Sequence, residues 1–158
     1  GPAFVTVHCE EGEGFLKDFL TARGAGTATR ILAITVLTSL DSQKLYRLGY
    51  APQLAGDLPG LVRLRAGLAK EAGCHGVVCS GHEAKRIKEE FGTDFVVVTP
   101  GIRPSWSIVN RDDQKRIMTP ADAVTNGADY VVIGRPIRDA ADPAEAALRT
   151  AEEIASVI

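Results

Sequence analysis

The sequence predicts an α/β protein built on a parallel sheet, because short apolar runs alternate with amphipathic stretches of helical spacing. The short runs are rich in β-branched residues, and most are continuously apolar rather than alternating. Continuous apolar runs are typical of strands buried on both faces, as in parallel sheets. The predicted strands are residues 4–7, 31–36, 76–79, 95–98 and 130–133.

Helical segments are predicted between and after these strands. Residues 58–72 and 82–91 carry apolar side chains at helical spacing, with charged residues on the other face. Thr119 and Asp142 are each followed by proline, the pattern of an N-cap residue before the first helical position. Strand–helix alternation favours right-handed parallel crossovers, which gives the α/β class.

The chain contains five strand–helix units, and two architectures accommodate them. A doubly wound sheet of five strands is complete, whereas a (β/α)8 barrel would be three units short. The pattern by itself therefore favours the doubly wound sheet. No composition shift or linker divides the chain, so we expect residues 1–158 to form a single domain.

Composition and charge argue against several classes of partner. Hydrophobic residues make up 45% of the chain and the net charge is −2, so neither nucleic acid nor an anionic membrane is expected as a partner. No apolar stretch approaches the roughly 20 residues of a membrane span, and no signal peptide is recognised, so we expect a cytoplasmic protein. The odd cysteine count, Cys9, Cys74 and Cys79, fits buried reduced thiols and no metal site.

Polar and unusual residues follow the predicted strands, where α/β proteins bind ligands. Thr38 and Ser80 follow the second and third strands, and Gly134-Arg135 follows the fifth. Glycine lets backbone N–H groups approach an anion, and the arginine fork matches phosphate oxygens. The alternative interpretations are a turn with a surface arginine at 134–135, and helix caps at Thr38-Ser39 and at Ser80.

A long connection follows the fourth predicted strand. Residues 100–118 exceed the usual two to six residues of such a loop, which is typical of functional loops. Its polar stretch includes Gln114 and a charge cluster at 111–116, and we expect it to fold over a ligand as a lid. The alternative is a solvated surface loop. The sequence contains no Ser/His/Asp set, P-loop or GxGxxG motif.

Taken together, these segments resemble the bacterial-type orotidine 5′-phosphate decarboxylase family. Residues 4–8 resemble the fourth strand of that family. The further matching segments occur in the family's order and are residues 31–39, 76–80, 98–104, 113–116, 118–120 and 127–137. The resemblance implies a (β/α)8 TIM barrel, of which this chain comprises about five of the eight β/α units, strands four to eight.

The resemblance also implies an activity and a set of partners. The expected reaction is decarboxylation of orotidine 5′-phosphate to uridine 5′-phosphate (UMP), in de novo pyrimidine biosynthesis, by a homodimer without metal or organic cofactor. The ligand is therefore expected to be a small nucleotide. In this family Arg135 and the Gly134 backbone would hold the 5′-phosphate, and Arg103 would join them from the end of strand seven.

Three further site residues are implied by the resemblance. Gln114 would bridge the phosphate and the pyrimidine and close over the ligand. Ser80 would contact the edge of the pyrimidine ring. Thr38 would line the nucleotide pocket, in this family from across a dimer interface.

The sequence departs from the family in one respect. The family's catalytic Asp-x-Lys-x-x-Asp motif is absent, since only Lys115 has Asp two places before it and Met118 occupies the third position. No catalytic residue is therefore expected in this chain, and strands one to three, with the lysine, are expected outside the given sequence. Two alternatives stay open: a non-catalytic phosphate-binding fragment, and another phosphate-substrate decarboxylase of the same superfamily.

Overall fold

Five parallel strands form one sheet whose spatial order is the order of the chain. The structure is a computed structural model that describes residues 1–107 and 113–158. The strands are β1 (Phe4–His8), β2 (Arg30–Ile34), β3 (Gly76–Val78), β4 (Val96–Thr99) and β5 (Tyr130–Val131). All five predicted strands are therefore confirmed, with bounds that differ by at most two residues at either end.

Helices connect the strands and cover one side of the sheet. Within the described ranges they are α1 (Gly12–Arg23), α2 (Ser42–Arg47), α3 (Pro52–Gly56), α4 (Leu58–Ala72), α5 (Gly81–Phe91), α6 (Pro120–Thr125), α7 (Arg135–Arg138) and α8 (Pro143–Ala155). The predicted caps are confirmed, since Thr119 Oγ1 accepts from Asp122 N at 3.2 Å and Asp142 Oδ1 accepts from Ala144 N at 2.9 Å. None of the helices in these ranges is long and apolar enough to cross a bilayer.

The strand order excludes the doubly wound arrangement that the pattern alone favours. A doubly wound sheet reverses its strand order at a switch point, whereas here each strand pairs in parallel with the next along the chain. The sheet is also strongly curved. The rings of Phe4 on β1 and Tyr130 on β5 lie edge to face, with centroids 5.1 Å apart. In a flat sheet, four strand spacings would separate them by roughly 19 Å.

The convex face of the sheet packs under helices and carries the main core. Leu16 of α1, Val62 of α4 and Ile87 of α5 are fully buried against it, with Val77 and Val97 of the central strands. The cysteines lie in the same core as buried thiols, which confirms the predicted burial. This face is a closed hydrophobic core between the sheet and helices that neighbour it in the chain.

The concave face is covered only at its centre. Leu32, Val96 and Val98 are buried there, with Phe4 and Val78 packed against them. Towards the sheet edges the inward positions are exposed. These positions are Thr6 and His8 beside β2, Tyr130 with 46% of its surface exposed, and Val132 with 53%. Burial on both faces is therefore confirmed for β4 and wrong for β1 and β5.

Candidate functional site

A cavity of about 520 Å³ lies at the carboxyl end of the sheet, over its concave face. Its walls come from the ends of β2 and β3, both ends of the long loop after β4, and the segment after β5. It brings together five of the six predicted site residues, namely Thr38, Arg103, Gln114, Gly134 and Arg135. Residues far apart in sequence meet here because parallel strands end at one edge of the sheet.

Cationic side chains dominate one wall of the cavity. Arg103, Arg135 and Arg138 all line it. Arg103 Nη1 donates to the carbonyl of Ile102 at 2.8 Å, and Arg135 forms an ion pair with the carboxylate of Asp113. Guanidinium groups are chemically suited to hold an anion. At least two of the three are already paired here, since the Asp113 carboxylate occupies part of the Arg135 fork and Asp139 pairs with Arg138 at 2.6 Å.

Gly134 leaves space at the same wall. The residue directly precedes α7 and lines the cavity. A Cβ atom built at this position would meet nothing within 4 Å, so the space in front of the backbone is open. A ligand can approach the chain here more closely than a side chain would allow.

The returning end of the long loop is hydrogen-bonded to the segment after β2. Thr38 is buried, and its Oγ1 donates to Gln114 Oε1. The carbonyl of Thr38 accepts from Lys115 N at 3.0 Å and from Arg116 N at 3.3 Å. Asp41, not Thr38, caps α2, so the helix-cap alternative for Thr38 is wrong. Thr38 lines the cavity together with other residues of the same chain, and its contribution across a dimer interface stays a prediction.

Ser80 differs from the other five predicted residues. It is fully buried, and its Oγ accepts from His82 N at 3.4 Å at the start of α5. Ser80 is absent from the residues that line the cavity. The helix-cap alternative is therefore confirmed for this residue, and its contact with a pyrimidine ring stays a prediction.

A buried ion pair below the cavity was missed by sequence reasoning. Arg116 Nη1 lies 2.7 Å from Glu83 Oε1, with 11% and 7% of the two side chains exposed. Burial raises the pKa of the Glu83 carboxyl, and Arg116 opposes that rise. A signal for Glu83 existed, because it lies four residues before Ile87 and so shares a helical face with that apolar residue. Arg116 was not foreseen as a buried residue, because residues 111–116 were interpreted as a lid or a solvated loop.

The outgoing end of the long loop contacts α8. The guanidinium of Arg149 lies 4.6 Å from the ring centroid of Trp106, a favourable cation–π distance. Ser107 closes a turn, since its amide and its hydroxyl both donate to the carbonyl of Pro104. The predicted lid is thus described at both ends, while its residues 108–112 lie outside the described residues.

The sequence of the chain is similar to those of proteins from one known family. The sequence model of the "Orotidine 5'-phosphate decarboxylase / HUMPS family" matches residues 1–150. A protein of Desulfosudis oleivorans named orotidine 5'-phosphate decarboxylase is 47% identical over 156 residues, which are 98% of this chain and 61% of the relative. A Rhodospirillum rubrum protein of the same name is 43% identical, over 97% of this chain and 62% of the relative.

Solved structures agree with the sequence comparison. The crystal structure of orotidine 5'-phosphate decarboxylase from Lactobacillus acidophilus matches with a TM-score of 0.74 and 35% identity, over 98% of this chain and 64% of that one. The Sulfolobus solfataricus structure, at 20% identity and a TM-score of 0.64, supports the fold alone. The chain spans about three-fifths of the length of its curated relatives. These likenesses confirm a (β/α)8 barrel with about five of eight units present, and the chain belongs to the orotidine 5′-phosphate decarboxylase / HUMPS family.

Proposed function

We propose that this chain provides the phosphate-binding part of an enzyme that decarboxylates orotidine 5′-phosphate to UMP. The observation that carries the proposal is the convergence of Arg103, Gly134 and Arg135 on one cavity at the carboxyl end of the sheet. Family membership supports the same substrate, because the two relatives above are named for it. The activity is proposed for the whole protein, of which this chain spans a part.

The proposed role of Arg135 follows from its chemistry. A guanidinium binds two phosphate oxygens at once, and such charge-assisted bonds are about twice as strong as neutral ones. The Asp113 carboxylate that now pairs with Arg135 offers two oxygens in a similar geometry. A 5′-phosphate would replace that carboxylate at the guanidinium and carry more negative charge.

Gln114 is proposed to contact the bound nucleotide beside the phosphate. Its side-chain oxygen accepts from Thr38 Oγ1, and the residue follows Asp113 directly on the returning end of the loop. Gln114 and Asp113 line the same cavity as the arginines. Thr38, which also lines the cavity, would then orient the amide and contact the ligand.

The carbon dioxide-releasing step is assigned to residues that this chain lacks. The Asp-x-Lys-x-x-Asp motif is absent from the 158 residues, and the family's reaction depends on a preorganised lysine–carboxylate array. Binding energy at the phosphate would contribute to closure and thereby to catalysis. By itself, the chain is proposed to be a non-catalytic phosphate-binding module. The same resemblance supports a homodimer in the cytoplasm.

Calorimetric titration with UMP tests the proposal. Arg135→Ala should weaken UMP binding by roughly 10- to 100-fold, since each charge-assisted hydrogen bond contributes roughly 1.5–3 kcal/mol. The affinity for uridine, which lacks the phosphate, should be unchanged by the same substitution. Arg63→Ala, on the outer face of α4 beside Glu90, is the matched control. Equal UMP affinities for Arg135→Ala and the parent would rule out the phosphate assignment.

Assay of the purified 158-residue chain tests the division of roles. We expect no release of carbon dioxide from orotidine 5′-phosphate above the uncatalysed rate. Turnover by this chain would contradict the claim that it lacks the catalytic array.

A further inference from the structure

The buried pair of Glu83 and Arg116 connects two parts of the molecule that are distant in sequence. Glu83 lies in the first turn of α5, and Arg116 lies on the returning end of the loop that follows β4. The two side chains are 2.7 Å apart and almost wholly buried. Taking both charges out of water is unfavourable unless their geometry and further hydrogen bonds compensate.

Those further hydrogen bonds lead to the cavity wall. Arg116 Nη2 donates to the carbonyls of Val36 at 2.8 Å and of Leu37 at 3.4 Å. Its own backbone amide, with that of Lys115, donates to the carbonyl of Thr38. Arg116 thus binds three successive residues of the segment after β2. That segment carries the Thr38 hydroxyl, to which Gln114 is hydrogen-bonded.

The outgoing end of the loop packs on the same residue. Gly101 has a φ of +78°, and a Cβ atom there would lie 2.7 Å from the carbonyl oxygen of Arg116. A side chain at 101 would therefore displace Arg116. Both ends of the loop and the segment after β2 meet at this arginine, which lies two residues after Gln114 and three after Asp113.

We propose that Arg116, held by Glu83, is a positioning residue for the phosphate end of the site. Its guanidinium fixes the returning chain, so that Gln114 stays against Thr38 and Asp113 stays beside Arg135. Neither Glu83 nor Arg116 lines the cavity, so both act through the residues they hold. The inference rests on the proposed function, because it gives Gln114 its place in nucleotide binding.

An exposed ion pair that also involves α5, the helix of Glu83, provides the control. Arg63 Nη1 and Glu90 Oε1 lie 2.9 Å apart and join α4 to α5, with 46% and 36% of the side chains exposed. Arg63→Gln removes an ion pair of α5 that is remote from the cavity. A purely structural role for Glu83 and Arg116 would affect overall stability and leave the local environment of Gln114 unchanged.

The first measurement is amide hydrogen exchange in the ligand-free chain. Arg116→Gln should accelerate exchange of the Lys115 amide at least tenfold relative to the parent, and Arg63→Gln should not. Amides at the centre of α4 should exchange at the parent rate in both. Glu83→Gln, which keeps the shape of the side chain, should give a smaller acceleration at Lys115. If Arg116→Gln does not fold, the exchange rate in Glu83→Gln still shows whether the ion pair holds the loop.

The second measurement is a double-mutant cycle on UMP affinity. Gln114→Ala should weaken binding in the parent background and have almost no further effect in the Arg116→Gln background. Additive losses, or unchanged exchange at Lys115, would overturn the positioning role. If the parent chain does not bind UMP, the proposed function fails, and the exchange result alone still decides whether Arg116 holds the loop.

Discussion

The convex and concave faces of the sheet are built from alternate residues of the same strands, yet only one is a finished core. On the convex side Val77 and Val97 are fully buried under helices. On the concave side burial is complete only at the centre, and Val132 is 53% exposed. The convex core forms from helices that neighbour each strand in the chain, whereas the concave core depends on strands that curve towards one another. The cavity lies on the less covered side.

The largest expected difference between the faces is in the free energy of unfolding when one apolar side chain on each is truncated to alanine. Phe95 is almost fully buried in the convex core, so Phe95→Ala should lower the free energy of unfolding by about 3–5 kcal/mol. Val132→Ala should lower it by less than about 1 kcal/mol, because half of that side chain is already in water. Urea unfolding measures both. Similar losses would mean that the concave face is as tightly packed as the convex face.

On the concave side, substitutions should change the affinity for a ligand more than the stability of the fold. Asp113→Asn removes the carboxylate that competes for Arg135, and should strengthen inorganic phosphate binding by up to about fivefold, since exposed pairs contribute roughly 0–1 kcal/mol. The gain should shrink at high ionic strength. Asp18→Asn, an equal charge change on the exposed face of α1, should leave the affinity unchanged. Weaker binding by Asp113→Asn would mean that the carboxylate assists the anion site.

A smaller effect is expected beside the convex core, where His75 should make the stability of the protein depend on pH. His75 Nδ1 accepts from Ile31 N at 3.1 Å, and burial, with Arg23 next, lowers the pKa of His75 below its ordinary 6.5. As pH falls, His75 therefore becomes protonated at a higher pH in the unfolded chain than in the folded one. The stability contribution is full above pH 6.5 and is lost as pH falls through the lower folded-state pKa.

Unfolding midpoints between pH 7.5 and 5.5 measure that contribution. His75→Asn, whose side-chain oxygen can still accept from Ile31 N, should reduce the decline in stability on the acid side. His82→Asn, at an exposed position of α5, should retain the decline of the parent chain. An unaltered pH profile for His75→Asn would exclude His75 as its source.

The features that the sequence predicts well are those with local signals. The strands follow from apolar runs, and Gly134 and Arg135 follow from their position after the last of these runs. The short helices α2 and α3 were not predicted, since six and five residues give too little periodicity. Their positions depend on packing against neighbouring elements.

The site was predictable in its residue types and less so in its contacts. Thr38 and Ser80 look alike in sequence, since each is a hydroxyl after an apolar strand. One lines the cavity and the other caps α5, because the chain turns into a helix immediately only after Ser80. Glu83 and Arg116 meet across 33 positions, so their pairing depends on the tertiary fold and no local pattern specifies it.

The contact between Trp106 and Arg149 has an experimental use. Trp106 is the single tryptophan of the chain, and its ring lies on the outgoing end of the loop against α8. Its fluorescence therefore reports on one position, three residues after the cavity-lining Arg103, without any added label. A ligand that draws this end of the loop away from α8 would remove a cation from the indole face and shift the emission. Trp106 emission, recorded while UMP is added, would thus show whether this end of the loop moves on binding.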